Sequence, residues 1–207
     1  GIDTGFFVRD LMTNDQLPER KFNIQYWQDV RKLPNNIFDN IDAVIHLAAI
    51  SNDPMGNRFE KVTYDINLEA SVNIAKLSKE AGVKNFVFAS SCSVYGFAGE
   101  SARTEDDELN PLTAYAKSKI GVENKIKDFA SEKFIVTSLR FATACGWSSR
   151  LRLDLVLNDF VASAISSGTI DILSDGSPWR PLIDVSDMVR AMDWGMLRKI
   201  ENGGKYL

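Results

Sequence analysis

Histidine is nearly absent from this sequence: His46 is the only one in 207 residues. A histidine-rich metal site is therefore excluded, and a Ser-His-Asp hydrolase would have to use His46 itself. His46 lies at the end of an apolar run, "AVIHLAA". A histidine satisfied by its neighbours, or one lining a cofactor, is expected there rather than a catalytic base. Cysteine is almost as scarce. Cys92 and Cys145 alone build no disulfide framework, and such sparing use points to a reducing, cytoplasmic setting. Long hydrophobic runs are missing too. The most apolar stretch, "IDAVIHLAAI", is about half the length of a membrane span and nothing resembles a signal peptide, so no membrane partner is expected. Positive charge is in deficit. With 24 Lys and Arg against 28 Asp and Glu the net charge is −4, and the pI is near 5.1, which argues against a nucleic-acid surface. Finally, the thirteen glycines form no GxGxxG or GxxGxxG series, so these residues include no glycine-rich turn of the kind that cradles a pyrophosphate.

What is present suffices for a core. The apolar share is 44%, and the length suits one large domain, or one domain with a small lobe. Short apolar runs alternate with longer amphipathic ones. Residues 22–26, 43–48, 85–90 and 134–141 read as strands, apolar enough for a parallel sheet covered on both faces. Residues 59–81, 113–131, 153–167 and 185–199 read as helices, and Gly82 stands where a left-handed cap residue is expected. This alternation predicts an α/β fold with a doubly wound parallel sheet. Ligands of such sheets bind at the carboxyl ends of strands, and three small-residue segments fall there: "HLAAIS", "SSCSVYG" and "LRFATACGW". In "TAYAKSKIGVE", Tyr115 precedes Lys119 by four residues. That spacing puts phenol and ammonium on one helix face, where the cation favours the phenolate and makes it a usable base. An amphipathic helix carrying both residues by chance has the same spacing.

Taken together, "GIDTGFF", "DVRKL", "HLAA", "DINLEASVNIAKLSKEAGVKNFVFASSCSVYG", "NPLTAYAKSK", "LRFATACG" and "SDGSPWRPLIDVSDMVRA" resemble, in order and spacing, the extended short-chain dehydrogenase/reductases. Within that family the resemblance is to NAD-dependent nucleotide-sugar epimerases and dehydratases. It implies a Rossmann-type core over 1–143, rejoined by about 181–200, with 144–180 as part of a substrate-binding lobe. It implies Ser91, Tyr115 and Lys119 as catalytic residues. It places Asp3, Asp29, Val30, Leu47, Ala48, Ala49 and Asn67, with Tyr115 and Lys119, along NAD. Asp3 would accept a bond from the adenosine ribose and disfavour a 2′-phosphate, with Arg9 close enough to soften that preference. Ser91, Ser93, Thr143 and Arg180 would face the substrate, Arg180 by pairing with its diphosphate.

The implied reaction is epimerisation of a nucleotide-diphosphate sugar at C4 through transient hydride transfer and a keto sugar. A 4-keto reductase, a dehydratase or decarboxylase, or a non-catalytic NAD-binding remnant are the alternatives. Family dehydratases carry an Asp-Glu pair just after the hydroxyl residue. Here Cys92 and Ser93 stand at those positions, which disfavours dehydration. In the family a strand, a glycine-rich turn and a helix precede the point where "GIDTGFF" begins, so the 207 residues alone are expected to bind NAD weakly. A homodimer through helices 59–81 and 113–131 is expected from the same resemblance.

Overall fold

The computed structural model describes residues 1–8, 18–51, 53–97, 101–177 and 179–199; Arg9 lies outside them. Its centre is a parallel three-stranded sheet of β3 (Ala43–His46), β4 (Asn85–Ser91) and β5 (Ile135–Phe141), in that order. The register pairs His46 with Phe88 and Ser91 with Phe141, so the carboxyl ends of β4 and β5 finish level. "NFVFASS" becomes the middle strand because its aromatic and β-branched residues fit a pleated surface buried on both sides. Phe86, Val87 and Phe88 are fully enclosed. A second parallel pair, β1 (Ile2–Asp3) with β2 (Tyr26–Trp27), is not hydrogen-bonded to the first sheet.

Helices cover both faces of the sheet. A long helical stretch runs through α1 (Asp53–Arg58), α2 (Glu60–Tyr64), a π-helical segment (Asp65–Ala70) and α3 (Ser71–Glu80). Its partner, α4 (Ala114–Ile126), starts where the Thr113 hydroxyl accepts from the Ala116 N–H at 3.2 Å, an N-cap worth about 1 kcal/mol. These helices share a core with the sheet through Ile74, Val122, Ile126, Phe86, Phe88 and Val136. The opposite face of β3, β4 and β5 is covered by α6 (Val185–Leu197). Gly195 permits that contact: a Cβ there would stand 3.0 Å from Val87. Before α6, the chain forms β6 (Thr143–Cys145), α5 (Val156–Ser166) and β7 (Leu182–Asp184), with β6 parallel to β7.

The architecture agrees with the doubly wound class, but several element bounds differ. The helix expected from 59 begins at Asp53, because Pro54 sits in a first turn, where a missing N–H costs nothing. The strand expected at 22–26 forms only at Tyr26–Trp27: β1 offers two residues of ladder, and Pro18–Lys21 turns as a 3-10 helix. β6 and β7 were not expected at all, since three-residue strands carry too little alternation to be read. Gly82 has φ +84 just past α3, as its position implied. Among the described residues no helix is long and apolar enough to cross a membrane, and no group of three His, Cys, Asp or Glu forms a metal cluster.

Candidate active site

Tyr115 and Lys119 occupy successive turns of α4, and Lys119 reaches β4. The Lys119 Nζ lies 5.4 Å from the centre of the Tyr115 ring and 4.7 Å from that of Phe88. It donates to the Ala89 carbonyl at 2.6 Å. Only 3% of Lys119 is exposed, so desolvation pulls its pKa down to about 8, and the Glu123 carboxylate opposes that fall. Tyr115 itself is half-buried.

Ser91 follows Ala89 by two residues, at the end of the same strand. Its Oγ accepts from the Ser93 N–H at 3.2 Å and from the Ser93 hydroxyl at 3.0 Å, capping a 3-10 turn over Cys92–Tyr95. With its lone pairs so used, the Ser91 proton is left to be donated outward. Ser93 thus acts on Ser91 directly. Gly96 closes this turn with φ +63, and a Cβ there would stand 1.9 Å from the Asn110 carbonyl oxygen. Only glycine tolerates both conditions. The Asn110 N–H in turn donates to the Val94 carbonyl at 3.0 Å. The segment entering α4 is thereby tied to the loop that carries Ser91.

The remaining expected site residues are dispersed: Asp3 and Leu47 to Ala49 follow strands, Asn67 lies in the π-helical segment, and Thr143 and Arg180 lie at or before the starts of β6 and β7. Asp3 is exposed at the end of β1, where its Oδ1 accepts from the Gly5 N–H at 2.6 Å. Asp29 caps a short turn and pairs with Arg31 at 2.6 Å, and that guanidinium holds the Asp29 carboxyl below its ordinary pKa. The Val30 side chain belongs to the core, so only its backbone can face a ligand. Leu47 is 54% exposed just past β3, with Ala48 and Ala49 half-buried behind it. Asn67, buried in the π-helical segment, spends its whole amide on one residue: Oδ1 accepts from the Ile50 N–H at 2.8 Å and Nδ2 donates to the Ile50 carbonyl at 2.9 Å. It fixes the strand end rather than reaching past it. Thr143 opens β6, its N–H donating to the Pro181 carbonyl at 3.0 Å. Arg180 is exposed beside that crossing, and its charge reaches the Cys92 thiol, whose pKa burial raises and Arg180 lowers.

His46 is a core residue. Ser71 Oγ donates to the Asn67 carbonyl at 2.8 Å, so the 2.7 Å contact between His46 Nε2 and Ser71 Oγ assigns the proton to Nε2. Burial and the nearby Lys119 charge bring the His46 pKa down to about 3.

One feature escaped sequence reasoning, a charged cluster on α4: Glu123 accepts from Arg140 at 2.7 Å and from the Ser90 hydroxyl, and Arg140 also donates to the Tyr95 hydroxyl at 2.9 Å. Glu123 continues the four-residue spacing of Tyr115 and Lys119, a signal that was there to be read. Close to β6 in sequence, Arg152 pairs with Asp154 at 2.7 Å and donates to the Ser51 hydroxyl at 2.9 Å. Asp154 raises the Arg152 pKa against burial, and Tyr115 adds to the rise. Arg150, by contrast, is bound to Glu19 at 2.7 Å and to the carbonyls of Phe7 and Val8.

Known proteins resemble this chain in sequence and fold. A UDP-glucose 4-epimerase from Lactobacillus helveticus is 30% identical over 165 residues, 75% of this chain and 50% of that protein. An uncharacterized UDP-glucose epimerase of Bacillus subtilis (strain 168) is 27% identical over 200 residues, 93% of this chain and 62% of its own length. The chain thus spans between half and two thirds of these two relatives. MoeE5, solved in complex with UDP-glucose and NAD, matches with a TM-score of 0.75 at 28% identity, over 83% of this chain and 58% of that one. At 22% identity the NDP-hexosamine 5,6-dehydratase TunA shares the fold, with a TM-score of 0.80 over 97% of this chain and 72% of that one. The family model for NAD dependent epimerases and dehydratases matches residues 14–207, and the chain belongs to that family.

Proposed function

We propose that this chain carries the catalytic face of a UDP-sugar 4-epimerase. The observation that supports it is the ammonium of Lys119, buried at the end of β4 with its Nζ 5.4 Å from the Tyr115 ring centre. A cation so placed favours the phenolate and makes Tyr115 a base near neutral pH. Tyr115 takes the proton of a sugar hydroxyl at C4, and Ser91 donates a hydrogen bond to the same oxygen, keeping its own proton. Bound NAD supplies the acceptor for the hydrogen on that carbon. The residues present fit that cofactor. Asp3 offers an exposed carboxylate for a ribose hydroxyl, Leu47, Ala48 and Ala49 leave a low wall beside it, and Asn67 holds the Ile50 backbone in place. Thr143 and Arg180, at the mouth of the lobe, would meet the substrate's nucleotide diphosphate.

Epimerisation is favoured over dehydration by Cys92. Burial raises its thiol pKa, and neither it nor Ser93 replaces a carboxylic acid that protonates a departing hydroxyl. UDP is favoured because one relative is a UDP-glucose 4-epimerase and MoeE5 was solved with UDP-glucose. The protein also pairs with a second copy through the helical face of α1 to α4. Met55, Phe59 and Val62, spaced along one stripe, are exposed there, which supports that assembly.

Incubation of the native gene product with NAD and UDP-glucose, followed by proton NMR of the sugar, tests the reading. Appearance of the C4 epimer is expected. A dehydrated sugar, or no reaction with any UDP-hexose, would overturn it.

A further inference from the structure

Behind the catalytic face, two consecutive residues of β4 are gripped by one helix. The Ala89 carbonyl accepts from Lys119, and the Ser90 hydroxyl donates to Glu123. Ser91 comes next, its hydroxyl turned to the Ser93 side. Glu123 is held from β5 as well: Arg140 Nε lies 3.2 Å from both carboxylate oxygens, and its NH2 group donates to Oε2 at 2.7 Å. The pair is well shielded, with side chains 18% and 9% exposed. Arg140 is anchored in turn by the Tyr95 hydroxyl, the Tyr95 ring 5.3 Å away and the Glu105 carbonyl. Such an arrangement is costly to desolvate unless every lone pair is used, and here both Glu123 oxygens are.

We propose that Glu123 is a positioning residue for the Tyr115–Lys119 pair, a fixed counter-charge that Ser90 and Arg140 hold one helical turn from a buried ammonium. Clamped in this way, α4 keeps its register on β4, and Lys119 stays beside the phenol. The groups that face Lys119 support this. On α4 they are Tyr115 and Glu123. From β3 comes His46, which is neutral and adds no charge. β4 supplies only the Phe88 ring and the Ala89 carbonyl. From β5 comes Arg140, already paired with Glu123. Glu123 is thus the anion these elements bring to Lys119.

The proposal rests on the catalytic reading of Tyr115 and Lys119, but its test needs no turnover. The Lys119 ammonium is titrated by heteronuclear NMR in the native gene product and in Glu123→Gln, Glu123→Asp and Glu123→Gln/Arg140→Gln. A midpoint of about 8 is expected in the parent protein. It is expected to fall by about one unit or more in Glu123→Gln, and to recover in part in Glu123→Asp. The double variant retains a neutral amide pair in the cluster if the single one fails to fold, and its midpoint should also fall. A Lys119 midpoint unmoved in a folded variant lacking the carboxylate overturns the proposal. That result leaves the epimerase reading standing, because it is read without substrate.

Discussion

At the scale of single residues, two buried titratable groups decide how the molecule responds to pH. His46 cannot take up a proton until about pH 3 in the folded chain, whereas an unfolded histidine does so near 6.5. Its contribution to stability is therefore complete above 6.5 and is lost progressively as the pH falls toward 3. The expected slope is about 1.4 kcal/mol per pH unit in that window. Denaturant melts between pH 7 and 5 should show it, and His46→Gln should flatten it. Lys119 behaves with the opposite consequence. Its folded pKa near 8 lies below the unfolded value of 10.5, so burying the ammonium costs stability at and below pH 8 and costs less as the pH rises toward 10.5. Lys119→Met should accordingly stabilise the fold by about 1–3 kcal/mol at pH 7, while removing the charge beside Tyr115. A variant that is both less stable and fully active would contradict the role given to this lysine. The placement of Tyr115 and Lys119 on one helix face and of Ser91 at the end of a strand was legible in the sequence because each depends on local spacing. The ion pair of Glu123 with Arg140 was not. It joins residues 17 apart and forms only when α4 lies on β5.

Among elements, the loop from β4 into the Cys92–Tyr95 turn does the most to assemble the site. Gly96 lets this loop press against Asn110, so that the chain entering α4 and the strand carrying Ser91 are fastened together. Gly96→Ala should destabilise the protein by about 1–3 kcal/mol, since it adds a backbone clash to a strained φ. The loss of substrate turnover should exceed what the fall in stability explains, because the loop positions Ser91 relative to Tyr115. The π-helical turn has a comparable function. It seats Asn67 where its amide can brace Ile50, and such turns often mark functional positions. Nothing in "DINLEA" announces a wide turn: its periodicity reads as ordinary helix. Long, strongly periodic helices and the apolar strand 85–90 were readable for the same reason that β6 and β7 were not. A pattern needs several repeats before it stands out from its surroundings.

For the whole molecule, the composition matched the architecture. Scarce cysteine, an apolar share of 44% and alternating runs all suit a parallel sheet wrapped by helices, and that is the fold. What composition could not convey was the pairing of β6 with β7, which brings Thr143 to Pro181, the neighbour of Arg180. Assembly is the property with the clearest test at this scale. If Met55, Phe59 and Val62 meet a second copy, Phe59→Glu should convert a dimer into a monomer in sedimentation at micromolar concentration. A parent protein that already sediments as a monomer would remove the basis for that interface. The account as a whole depends on a phenol made acidic by the ammonium packed against it. Turnover of a UDP-hexose by Tyr115→Phe, beside the unaltered native gene product, tests this most directly. A fall of about 100-fold or more, with the melting temperature preserved, is the expected result; a rate equal to that of the parent would contradict it.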